Sequence, residues 1–160
     1  AEFYAALSEQ REETGIEYRS ELQTAPLADL LLASRQKDFI NEHTTSGVHR
    51  DDVLFAIGEH PLRKFGSQGQ QKSFLIALKL AEYTLLAEHS NEKPILLLDD
   101  LFDKLDMRRV AHLLRLVGGD MFGQIFITDT NRDHLDSILR TIDQPYTLFV
   151  VENGEVKENI

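Results

Sequence analysis

Pro94-Ile95-Leu96-Leu97-Leu98-Asp99-Asp100 is apolar at four consecutive positions after the proline and acidic at the next two. A short unbroken apolar run of this kind is the pattern of a strand buried on both faces of a parallel sheet. Working outward, Val110, Leu113, Leu114 and Val117 repeat at helical spacing until Gly118-Gly119 stops them, and Gln124 to Thr128 forms a second apolar strand. On the N-terminal side, Phe74, Leu78, Ala81 and Leu85 make one stripe along a helix from Gln70 to Glu88, the longest element expected. Helix, strand, helix, strand is the order of an α/β fold with right-handed crossovers and a mostly parallel sheet. In such sheets ligands sit at the carboxyl ends of the strands, where Asp99-Asp100 and Thr128-Asp129 both fall.

The flanks are more mixed. Glu2 to Glu13 reads as helix and Ile16 to Leu22 alternates as a strand. Pro26 suits the first turn of a helix whose apolar residues Leu27, Leu30, Leu31, Phe39 and Ile40 continue until it ends near His43. Val53 to Ile57 and Leu62 to Phe65 read as a hairpin around Gly58, Glu59 and Pro61. Leu135, Ile138, Leu139 and Ile142 predict a third helix of the second half, and Tyr146 to Val151 a strand that turns at Asn153-Gly154 into Val156 to Ile160.

The chain has 160 residues, no cysteine and a net charge of −10. With 42% hydrophobic and 28% charged residues it is composed as an ordinary globular protein, excluding disordered, collagen-like and disulfide-stapled classes. No apolar run has the roughly 18–20 residues needed to span a bilayer, and Ala1 to Glu13 is not a leader, so a cytoplasmic protein without membrane partners is expected. Acid excess is even: residues 1–65 hold 7 basic and 12 acidic side chains, residues 66–160 hold 10 and 15. Strong nucleic-acid binding by this chain alone is therefore not expected, because phosphate affinity needs lysine and arginine gathered on one face.

Asp99-Asp100 has the form of a Walker B element. One carboxylate at the end of a rigid strand serves Mg²⁺ and its water shell, and the adjacent acid, directed to the other side, orients or deprotonates an attacking water. A solvated turn would also accommodate two aspartates. Asp106, just before the helix from Met107, suits an N-cap whatever else it does.

Gly66-Ser67-Gln68-Gly69-Gln70-Gln71-Lys72-Ser73 admits two functional readings. As a P-loop it keeps Lys72 and Ser73 in register but has Gln71 in place of the second glycine. As an ABC-type signature motif it offers Ser67, a close-approach Gly69, and the free amides and dipole of a helix start to the γ-phosphate held by another subunit. The second is preferred; a simple capped helix is the structural alternative. His49-Arg50-Asp51 fails as a kinase catalytic loop because Ala56 occupies the asparagine position. The six histidines lack zinc-like spacing.

Four separated stretches, Ser46 to Asp52, Gly66 to Lys72, Ala77 to Glu82 and Pro94 to Asp106, together resemble the C-terminal half of the RecF family, bacterial DNA replication and repair proteins within the ABC and SMC-like ATPases. The resemblance covers at least residues 46–130. It implies an ABC-type ATPase head with an inserted helical lobe, residues 1–45 being the end of that lobe and 46–160 the C-terminal part of the head. It further implies slow ATP hydrolysis, an ATP-dependent homodimer on DNA at single-strand/double-strand junctions, and cooperation with RecR and RecO in loading RecA.

Carried onto this sequence, the resemblance makes Ser67, Gln68, Gly69 and Gln70 the signature loop contacting ATP across the dimer. Asp99 takes Mg²⁺, Asp100 stands for the catalytic glutamate, and Asp106 closes the D-loop. Thr128-Asp129 falls where transporters carry the switch histidine, so either residue substitutes for it or neither does. Val48 in place of a usual proline and Lys72 in place of a common arginine are minor departures. No G-x-x-x-x-G-K-[ST] is present. The chain is therefore expected to be a piece of a longer protein, inactive and a poor nucleotide binder by itself. The competing class is a nucleotide-independent interaction module that docks a repair partner through its acidic surface.

Overall fold

The computed structural model describes residues 1–9, 12–90, 92–100, 105–130 and 145–159. The chain divides into two compact units, Ala1–Leu80 and Ala81–Ile160.

In the first unit, helix α1 (Glu2–Ser8) buries Tyr4 and Leu7 and closes on Glu9 in the left-handed conformation, φ 57°. It is shorter than the helix to Glu13 that the sequence suggests, because Thr14 already belongs to β1 (Thr14–Arg19). That strand pairs antiparallel with β2 (Asp52–Ile57) from Thr14↔Ile57 to Arg19↔Asp52. The pairing ends the strand before Leu22: Ser20 instead caps a 3₁₀ turn, Glu21–Gln23, by accepting from the Leu22 amide at 3.2 Å. Helix α2 (Leu27–Asn41) starts at Pro26 as expected, proline supplying a ready-made φ of −59°.

The expected hairpin is only half present. Strand β3 (His60–Pro61) pairs with β2 at two positions, after which Leu62–Phe65 forms a single helical turn, α3. Pro61 has no N–H to extend a ladder, and its fixed φ suits the entry to a helix.

Helix α4 (Gln68–Ser90) contains the predicted long helix, but its buried face is turned away from the expected stripe and keeps Phe74 of it. Ser73, Phe74, Ala77, Leu80 and Tyr83 are buried, whereas Leu78 and Leu85 of the expected stripe are 39% and 58% exposed. Apolar residues occur on more than one side of this helix, so periodicity alone could not select the face. Phe74 packs its ring at 5.7 Å from Tyr4 and 5.0 Å from Phe55, joining α1, α4 and the sheet into one core.

In the second unit, β4 (Leu96–Leu98) and β5 (Ile125–Ile127) form the expected parallel pair, with Leu96↔Ile125 and Leu98↔Ile127 in register. The Thr128 amide donates to the Leu98 carbonyl at 2.9 Å, carrying the ladder one step past β5. Helix α5 (Met107–Val117) connects them and buries Val110, Leu113, Leu114 and Val117, the four residues that its spacing predicts. Tyr83 and Phe122 stack at 4.8 Å, and the Tyr83 hydroxyl accepts from the Gly123 amide at 2.8 Å.

Burial of β4 is one-sided, contrary to the expectation of two covered faces. Leu96 is 7% exposed but Leu97 is 70% exposed, and Phe126, its partner in register, is 46% exposed. Side chains alternate along each strand, so paired residues share a face, and this face of the two-stranded sheet is open. Strands β6 (Leu148–Glu152) and β7 (Glu155–Asn159) form an antiparallel hairpin. Its turn, Asn153-Gly154, has φ of 53° and 82°, the two positive values that a type I′ turn requires. The helix expected at Leu135 to Ile142 lies outside the described residues.

Candidate ATPase half-site

The carboxyl edge of β4–β5 brings together Asp99, Asp100, Thr128 and Asp129. Strand β4 ends at Leu98, which leaves Asp99 exposed at the rim, and Asp100 turns the chain with φ 50°. Aspartate is among the few residues other than glycine that enter this left-handed region readily. Thr128, reached from β5, holds the turn on both sides. Its hydroxyl donates to Asp99 Oδ1 and accepts from the Asp100 amide at 3.3 Å. One aspartate is thus steadied through its side chain and the other through its backbone. Asp129, next along, is half-buried.

The threonine was legible only as a substitute for a switch histidine; its grip on Asp99 comes from strand pairing that no local pattern encodes. Asp106 caps α5, accepting from the Arg109 amide at 2.9 Å, with the Arg109 Nε 3.5 Å from its other oxygen. Asp103 and Lys104 lie outside the described residues.

In the first unit, Ser67 to Gln70 opens α4 as a capping box. Ser67 Oγ accepts from the Gln70 amide at 3.2 Å, and Gln70 Oε1 accepts from the Ser67 amide at 2.7 Å. Gln71 Nε2 donates to the Gly66 carbonyl at 2.9 Å, bracing the loop from the other side. Gly66 itself has no room for a side chain, since a Cβ there would lie 2.6 Å from the Leu62 carbonyl oxygen. The amides of Gln68 and Gly69, first in the helix, stand outside its i→i−4 ladder. Lys72 is half-buried rather than projecting from a phosphate-binding loop, and the segment before Gly66 is the helical turn α3, not the buried strand that precedes a P-loop. The degenerate P-loop reading therefore loses its structural context.

His49 and Arg50 lie in a 3₁₀ turn, Val48–Arg50, and Asp51 follows it in extended backbone before β2. Tyr18 donates its hydroxyl to Asp51, and bonds from Ser20 and Tyr18 hold the Asp51 carboxyl below the ordinary 3.8. His49 Nε2 lies 3.0 Å from the Thr44 carbonyl. The Tyr18–Asp51 bond ties β1 to the entry of β2, while the His49–Thr44 contact stays within the connection after α2.

No family model matches the chain. It is 48% identical over 157 residues to the DNA replication and repair protein RecF of Phocaeicola vulgatus and 46% identical over 156 residues to that of Bacteroides fragilis strain YCH46, in each case over 98% of this chain and 42% of the relative. The RecF of Porphyromonas gingivalis strain W83 is 47% identical over 97% of the chain. The chain thus spans less than half the length of the curated relatives it matches. Among solved structures, the recombination mediator protein RecF-ATP in the RecFOR pathway superposes with a TM-score of 0.70 at 27% identity, over 99% of this chain and 42% of that one. The RecF-ATPrS form gives 0.69 at 26% identity. Sequence and fold therefore agree that this chain, over 98% of its length, corresponds to the C-terminal portion of the RecF DNA replication and repair proteins, in the fold of an ABC-type ATPase head.

Proposed function

We propose that this chain supplies the signature loop and Walker B edge of an ATP-dependent DNA repair protein, the ATP-binding Walker A loop lying elsewhere in the complete protein. The observation that carries the proposal is the carboxyl edge of β4–β5, where two adjacent aspartates leave a parallel strand and Thr128 holds both. In this reading Asp99 faces Mg²⁺ and Asp100 the attacking water. Mg²⁺ takes one or two carboxylates and completes its shell with phosphate oxygens and water. In this reading the ion is held jointly by the protein and a nucleotide. When bound, Mg²⁺ would neutralise charge developing on the phosphates.

Ser67, Gln68, Gly69 and Gln70 then act in trans on the nucleotide of a second subunit, with Asp106 and Thr128-Asp129 as D-loop and switch. Residues 1–45 are the end of an inserted helical lobe, α2 its body, and residues 46–160 the head; β1 binds the former to β2 of the latter. The complete protein hydrolyses ATP slowly, dimerises on ATP at gapped DNA, works with RecR and RecO to load RecA, and is cytoplasmic. Among the described residues no helix is long and apolar enough to cross a membrane.

Ser67→Arg in the complete protein tests this. A long side chain at the loop should abolish ATP-driven dimerisation while leaving ATP binding to the monomer's own Walker A intact. Light scattering with and without ATP, paired with a melting curve, measures both. Loss of an N-cap alone costs about 0.5–2 kcal/mol of stability and leaves dimerisation unchanged, so a folded mutant that still dimerises on ATP would sink the assignment.

A further inference from the structure

Gln70 does more than cap its own helix. Its Nε2 donates to Glu12 Oε1 at 2.7 Å, and the other Glu12 oxygen accepts from the Tyr4 hydroxyl. Tyr4 is 3% exposed and packs against Phe74 of α4, so the carboxylate is anchored in the core of the unit. A carboxylate only accepts hydrogen bonds, and an amide side chain has one donating and one accepting end. Glu12 therefore fixes which way the Gln70 amide points: Nε2 toward Glu12, which leaves Oε1 for the Ser67 backbone N–H. With the amide reversed, oxygen would face carboxylate and two donors would face each other at Ser67.

We propose that Glu12 is a positioning residue for the Ser67–Gln70 loop, setting its geometry for the partner's nucleotide through the Gln70 amide. This rests on the reading of that loop as the signature motif. Glu12 itself touches no nucleotide in this scheme. Nothing in its own sequence neighbourhood marks it, since its partner lies 58 residues away.

A reciprocal swap in the complete protein tests it. Gln70→Glu sets two carboxylates against each other and should weaken ATP-driven dimerisation by about tenfold or more, the worth of a charge-assisted hydrogen bond turned into a repulsion. Adding Glu12→Gln restores every partner: Gln at 12 donates to Glu at 70 and accepts from Tyr4, while Glu at 70 still accepts from Ser67. The double variant should return to within about threefold of wild type. Glu12→Ala, which leaves the amide unsteered, should fall between the two and decides the matter if Gln70→Glu proves unfolded. ATP binding to the monomer and melting temperature are measured alongside, because a purely structural role would lower the latter without a selective loss of dimerisation.

Wild-type dimerisation by Gln70→Glu or by Glu12→Ala, or a double variant as weak as Gln70→Glu, would overturn the proposal. Ser67→Arg run in parallel separates the two levels. If it is blocked while Gln70→Glu is normal, only the role of Glu12 fails; if it dimerises normally, the signature assignment fails first.

Discussion

Thr128→Val in the complete protein should loosen the Walker B edge without unfolding it. Valine keeps the β-branched shape at the end of β5 but removes the hydroxyl that donates to Asp99 and accepts from the Asp100 amide. A hydrogen bond to a charged group is worth about 1.5–3 kcal/mol when shielded from water. Here both Asp99 and Thr128 are exposed, so water replaces part of what is lost, and the net effect on holding the carboxylate in place is about 0.5–1.5 kcal/mol. At ~1.4 kcal/mol per factor of ten, Mg·nucleotide affinity should fall by about two- to twelvefold. Turnover should fall by at least as much, because Asp100 loses its backbone anchor as well. Thr128→Ser keeps the hydroxyl and should stay within about twofold of wild type, apart from a small packing loss. Titration calorimetry with Mg·ATP and with a slowly hydrolysed analogue reads the affinities directly. A valine variant identical to wild type, measured beside an impaired Asp99→Asn, would show that the threonine plays no part in aiming the aspartates.

Asp100→Asn should leave ATP binding and dimerisation intact and abolish turnover, whereas Asp99→Asn should weaken Mg·ATP binding itself; indistinguishable mutants in both assays would refute the division of roles. Leu113→Ala, at a fully buried position of α5, should cost about 2–5 kcal/mol of stability in chemical denaturation, and a change under about 1 kcal/mol would contradict the core described here. Asp51 and Asp38 are both held below the ordinary 3.8, Asp51 by hydroxyls of Ser20 and Tyr18, Asp38 by Thr45 and Ser34. Their depressed values mean that the stability they contribute is present above about pH 3.8 and is lost as pH falls through the lower, folded values. Asp51→Asn should flatten that acid limb in circular dichroism, and an unchanged limb would refute the contribution.

Where structure is dictated by neighbours in sequence, it was readable in advance. Helix α5 has one apolar stripe, a capping Asp106 and a terminating Gly118, and all four predicted core residues are buried. Asn153-Gly154 admits few alternatives to a type I′ turn. Where the outcome depends on which remote surface wins, the pattern was silent. Helix α4 offers apolar residues on several sides, and burial falls on the one carrying Ala77 and Leu80 rather than the one carrying Leu78 and Leu85. The run Ile95–Leu98 could not reveal that one face of β4 stays open. At the site, Asp99, Asp100 and Ser67 stood out because their residue types carry chemistry at motif spacing. Thr128 as the clamp and Glu12 as the anchor did not, because each acts through a hydrogen bond across a long stretch of chain.

The strand pairings among the described residues close at two scales of chain separation, and this ranks them in time. Residues 152 and 155 flank the β6–β7 turn and residues 57 and 60 the β2–β3 turn, whereas residues 98 and 127 must meet through α5 and residues 19 and 52 across all of α2. Closure entropy rises with the logarithm of the intervening length, so the two short turns nucleate first and cheaply, and β4–α5–β5 and β1–β2 follow at nearly equal cost. On a ribosome the order is partly reversed, because β1 and β2 emerge before the C-terminal hairpin is made. The segment holding Glu12 thus meets the loop at Ser67 after the C-terminal hairpin in refolding from denaturant but before it in synthesis.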